Sequence, residues 1–206
     1  MRSSARVAVL GAVALGAGLL LTPPASAGPT TAAGPSRTAG HGAVFVATDA
    51  PDGNRVVAYD RAADGSLHRA GSYRTGGDGG TLAGAVVDRT ASQGALAADP
   101  RHGELYAVNA GSDTLSVFAV RGSHLRLRQV VGSGGDFPVS VTVHGAQVFV
   151  LDARGGGAIQ GYLNVGGRLV AIKAWHRTLG LDPAATPEFT TRPARSPSPR
   201  TAGTSW

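Results

Sequence analysis

Short alternating apolar runs, a turn-rich composition and the recurrence of three of those runs in a fixed order predict an all-β chain. The length of the recurring unit makes it a partial β-propeller of about three four-stranded blades. The chain carries 31 glycines and 12 prolines in 206 residues. It has hardly any helix-forming run, a balance that belongs to turn-rich β structure.

The first 27 residues read as a secretory signal peptide. Arg2 and Arg6 supply the positive start, Val7 to Leu21 the apolar stretch, and Ala25-Ser-Ala27 the small-x-small cleavage pattern. The apolar stretch is shorter than the ~20 residues a spanning helix needs, so no stable membrane insertion is expected once the signal is removed. The expected location is extracytoplasmic. There is no cysteine, which excludes disulfides, zinc–thiolate sites and a lipid-bearing cysteine. Residues 28–42, rich in Pro, Thr, Gly and Ala, read as a disordered linker.

Strand-length runs then follow in order. Ala43–Thr48, Arg55–Asp60 and Leu67–Tyr73 form a first group. Gly94–Ala98, Glu104–Asn109, Thr114–Val120 and Leu125–Val131 form a second. Val139–Val143, Gln147–Asp152, Ala158–Asn164 and Arg168–Trp175 form a third. Each is rich in Val, Leu, Tyr or Phe and bounded by Gly, Asp, Asn or Pro. Leu105-Tyr-Ala-Val-Asn109 returns as Val148-Phe-Val-Leu-Asp152, Leu115–Phe118 as Ile159–Tyr162, and Leu125–Leu127 as Leu169–Ala171. That spacing lies within the ~40–45 residues of a propeller blade. A fainter earlier copy holds Val44–Asp49, Val56–Tyr59 and Leu67, and Gly76–Ser92 is an insertion after it. A β-sandwich would not require three strands to recur in one order and spacing.

Gly80-Thr-Leu82, Ala91-Ser-Gln-Gly94, Leu105–Phe118 and Gly145–Tyr162 together resemble the lactonase-type seven-bladed β-propeller family. That family includes 6-phosphogluconolactonase-like and carboxymuconate-cyclase-like proteins. The resemblance runs from about Ala43 to Phe189 and implies hydrolysis of a sugar lactone or another small lactone. It transfers no catalytic residue, because none of the family's functional positions can be matched here one by one. Three blades stand where the family has seven, so the chain resembles a truncated member. After Thr191 the alternation stops. Arg192–Trp206 carries several prolines, which cannot join a central strand. The expectation is a disordered tail produced by a shifted reading frame. Exposed end blades then lead to an expectation of self-association.

Within an antiparallel meander, the loops before the first strand and after the second share one end of the blade. This end gathers Asp49–Asn54, Gly76–Gln93, Asn109–Asp113, Gly132–Pro138, Asp152–Gly157 and His176–Glu188. Lactone hydrolysis needs a group to activate water and another to steady an oxyanion. The candidates on this end are Asp136, Asp152, Arg154, His176, Arg177 and Glu188. For each, a turn-capping or surface role is the competing reading. No cofactor is expected, and no metal either, since the histidines show no ligand spacing. Gly76–Gly80, Gly132–Gly135 and Gly155–Gly157 lack the Lys-Ser/Thr pair of a phosphate loop and read as turns. The formal charge of +6 owes much to the arginines at the two ends. The remainder is near neutral, so no nucleic-acid partner is expected. A non-catalytic extracellular binding propeller and an inactive fragment are the other functional readings.

Overall fold

The computed structural model describes residues 42–85, 88–92 and 94–185. The signal, most of the linker, the tail and Glu188 lie outside these residues. The described chain is a succession of antiparallel meanders. The first sheet is β1 (Ala43–Ala47), β2 (Arg55–Arg61) and β3 (Leu67–Arg74). The second is β4 (Leu96–Asp99), β5 (Glu104–Asn109), β6 (Thr114–Arg121) and β7 (His124–Gly132). The third is β8 (Asp136–His144), β9 (Gln147–Arg154), β10 (Ala158–Val165) and β11 (Arg168–Ala171), with β12 (Arg177–Thr178) pairing to the upper part of β10. The first sheet thus has three strands, as its three apolar runs anticipate, rather than four. The last run ends early: Lys173–Trp175 forms a single 3₁₀ turn. There Trp175 stacks on Phe149 at 5.7 Å.

The sheets pack face to face, which is the arrangement of a partial β-propeller. Tyr106 lies in the second sheet and Phe149 in the third, and the second sheet packs against the first on its other face, so the repeats do not form one two-sheet sandwich. Alternation in β5 sends Leu105 and Ala107 toward Val56 and Phe45 of the first sheet. It sends Tyr106 and Val108 toward Val141, Val148 and Val150 of the third. All six residues of β5 are consequently buried, and its continuous apolar run follows from being covered on both sides. A third cluster places Leu82 of the insertion against Phe137, Val139, Leu151 and Ala153. The insertion therefore packs over the loop end instead of forming another strand.

A polar seam stitches the first sheet to the second. Asn54 Nδ2 donates to Val108 O and to Asn109 Oδ1, both at 3.0 Å. Asn109 Nδ2 donates to Thr114 Oγ1 at 3.0 Å and Ser116 Oγ at 2.8 Å. Ser116 Oγ donates in turn to Thr75 O at 2.8 Å. Every member is partnered, and all but the half-buried Thr114 are buried, the condition under which an internal polar network is tolerated. Asn54→Ala should cost about 2–3 kcal/mol, because it leaves Asn109 Oδ1 and Val108 O without that donor. Urea denaturation of the variant against the parent chain checks this.

Candidate functional site

Strand register puts the two sheet junctions in correspondence. Thr114 pairs with Asn109 and Ala158 with Asp152, so Asp152 occupies in the third sheet the place of Asn109 in the second. Thr75 N donates to Asn54 O, and Ser133 N donates to Asp113 O. Asp113 and Ser133 therefore repeat Asn54 and Thr75. The amide pair of the first junction has become an acid pair in the second.

The consequence is electrostatic. Two asparagines complement each other, because each offers N–H and C=O groups. Two carboxylates offer only acceptors. Asp113 Oδ1 takes a 2.8 Å hydrogen bond from Phe137 N. Asp152 is fully buried, and neither of its oxygens accepts a hydrogen bond from another described residue. Ser133 Oγ is close but donates to Gly135 O at 3.1 Å. Burial pushes the Asp152 carboxyl up to about 7; the nearby Ser133 hydroxyl opposes this, and the charges of Asp113 and Asp136 add to it. Gly135 closes over the group, and a Cβ there would lie 2.7 Å from Asp152 Cγ. Only glycine fits at that approach.

Other predicted residues surround this point. Asp136 is exposed and is the register partner of Arg154. The Arg154 guanidinium lies 3.9 Å over the Phe137 ring and donates to Thr81 O at 3.3 Å. Phe137 itself holds φ +63°, a left-handed conformation unusual for a bulky side chain. The amide–carboxylate bond to Asp113 and the ring contact with Arg154 both fix it there. His176 Nε2 approaches Gly134 O at 3.2 Å. Asp136, Asp152, Arg154 and His176 thus converge on the Gly132–Phe137 turn. Arg177 does not, since it donates to Ala174 O and His176 O within its own connection.

Asp113, Ser133 and Asp49 were not among the residues singled out from the sequence, although the internal register would have paired Asp113 with Asn54. Asp49 lies on the same end at φ +49°. Burial, with Asp88 adding and Arg89 opposing, raises its carboxyl to about 6. Nearby, Asp52, Asn54, Arg74, Asp78 and Ser112 line a polar cavity of about 320 Å³. The shared end is real: Gly79 N donates to Ala50 O and Gly111 N to Asp78 O. The glycine runs behave as turns, with Gly155, Gly156 and Gly157 all at positive φ. His102 sits at the opposite end, bonded to Asp99. Among the described residues no group of three or more His, Cys, Asp or Glu side chains could hold a metal ion.

No family model and no curated protein matches this chain. Among solved structures it is similar to a functionally unknown protein from Desulfotomaculum acetoxidans, at 16% identity and a TM-score of 0.48 over 68% of this chain. It is also similar to a Bacteroides uniformis protein provisionally named a 6-phosphogluconolactonase, at 14% identity and a TM-score of 0.36 over 68% of this chain. The match spans 43% of the first structure and 54% of the second.

Proposed function

We propose that this is an exported lactonase-like propeller chain whose loop end hydrolyses a small lactone. The observation that carries the reading is Asp152, a buried carboxylate that accepts no hydrogen bond from another described residue, held near neutral pKa two residues from Arg154. A base titrating near the working pH is the strength that general-base catalysis favours. In the step proposed, ionised Asp152 takes a proton from water, and the water oxygen adds to the lactone carbonyl. Arg154 faces the negative charge that develops on the carbonyl oxygen. The ring C–O bond then breaks, and the departing alkoxide recovers the proton from Asp152. The products are a hydroxy acid and the restored enzyme.

The complete burial of Asp152 favours one alternative, a binding propeller in which the more accessible Asp136 and Arg154 meet a ligand without chemistry. A pH-stat assay on sugar δ-lactones separates the two. Hydrolysis is expected, with kcat/KM rising through an apparent pKa near 7 and falling at least 100-fold in Asp152→Asn. Absence of turnover, or turnover indifferent to that substitution, would remove the catalytic reading.

A further inference from the structure

The end of the chain opposite the loops carries a concentration of positive charge that the near-neutral balance of the sequence conceals. Arg121, His124, Arg126 and Arg128 line a cleft of about 310 Å³ beside β7. Arg126 and Arg128 also line an adjoining cleft of about 350 Å³, shared with Arg168 and the Gly166–Gly167 turn. The two adjoin across Arg126 and Arg128 and together make a groove beside β7 and β11, the outer strands of the second and third sheets.

A β-bulge accounts for the position of Arg128. Phe118 pairs with Leu127 and Val117 with Gln129, leaving Arg128 as the extra residue. The first sheet has a bulge at the matching place, where Ala58 pairs with Gly71 and Tyr59 with Arg69, leaving Ala70. Bulges re-aim a side chain. Here the re-aimed guanidinium reaches Glu104 Oε1 at 3.1 Å. Glu104 is itself buried and bonded to Tyr106 Oη and Asn164 Nδ2, both at 2.6 Å. Arg128 is therefore anchored, while Arg121, Arg126 and Arg168 are exposed and form no ion pair with a described carboxylate.

We propose that this groove binds an oligophosphate, a chain of at least two linked phosphate groups. Four guanidinium groups against one carboxylate select an anion. Guanidinium forks arrayed around a groove suit the tetrahedral oxygens of phosphate, which accept from several directions at once, whereas a carboxylate accepts in one plane. Two adjoining clefts that share Arg126 and Arg128 have room for successive phosphates of a chain. No residue of the groove belongs to the loop-end site, so the proposal stands apart from the hydrolytic reading.

The test is phenylglyoxal labelling of the full chain, read by mass spectrometry, which does not depend on oligomeric state. Tripolyphosphate is expected to protect Arg121, Arg126 and Arg168 at least fivefold, leaving Arg74 at the loop end unaffected. Orthophosphate and trigalacturonate at matched charge should protect far less. In Arg126→Glu/Arg168→Glu, titration calorimetry should show tripolyphosphate binding at least tenfold weaker with an unchanged circular dichroism spectrum. Equal protection of Arg74, equal protection by trigalacturonate, or unaltered affinity in the double variant would overturn the proposal.

Discussion

Asp152→Asn is expected to stabilise the fold by up to about 4 kcal/mol at pH 8 while removing hydrolysis. In the unfolded chain an aspartate titrates near 3.9, and in the fold burial holds Asp152 at about 7. Between those values the folded chain keeps a proton that the unfolded chain has released. Its stabilising contribution is thus complete below about pH 4, declines as pH rises toward 7, and is gone above. Roughly three pKa units at 1.36 kcal/mol each give the quoted size. Asparagine does not titrate, and its amide can donate to Asp113, restoring the complementarity seen between Asn54 and Asn109. Urea unfolding of both proteins at pH 5 and pH 8 checks this. Asp49 is displaced in the same direction, so the difference between the two proteins, not the parent curve alone, isolates Asp152. A variant less stable than the parent at pH 8 would mean that the carboxylate makes a favourable interaction after all.

The second large effect concerns the two outermost sheet faces. Cross-strand pairs put Val44, Val46, Val57 and Tyr59 on the side of the first sheet opposite Phe45 and Ala58, which face the second sheet. Val46 is 47% exposed. In the third sheet Leu163 pairs with Val170, opposite the face that carries Tyr162 and Leu169, and Val170 is 51% exposed. Covering several hundred Å² of such surface is worth on the order of 10 kcal/mol at ~25 cal/mol per Å². We propose that the chain self-associates through these faces at micromolar concentration. Sedimentation velocity should show concentration-dependent oligomers that shift toward monomer in Val46→Asp/Val170→Asp. A monodisperse parent monomer with a cooperative melt would count decisively against this.

The strands were legible because each blade is a local event. Alternation in runs such as Leu105–Asn109, closed by Gly or Asp turns, needs no distant partner to be recognised, and recurrence in one register supplied the stacking. The end of the third blade was harder to read. Arg168–Trp175 alternates like a strand, yet β11 stops at Ala171 because Trp175 turns back to stack on Phe149 over Gly161. β12 escaped notice because two residues give no periodicity. At the loop end, Asp136, Asp152, Arg154 and His176 were found by strand polarity alone. What made Asp152 distinctive was not visible in that way. Its burial depends on Gly135 and its charge environment on Asp113, and both arrive from connections between other strands. The Arg126–Arg168 groove was hidden for a similar reason: β7 and β11 belong to different sheets, and only their packing makes neighbours of these arginines.

The order of strands in each sheet follows the order of the chain, and this has a kinetic consequence. Apart from β12 on β10, every pairing closes by a short hairpin connection, so little loop entropy is lost before contacts form, and such local topology folds quickly. Among the described residues the second sheet alone is covered on both sides, with β5 buried throughout, which makes it the natural nucleus. The first and third sheets would then condense on its two sides, so a chain emerging from its N-terminus would hold its first sheet unpacked until β4–β7 had been made.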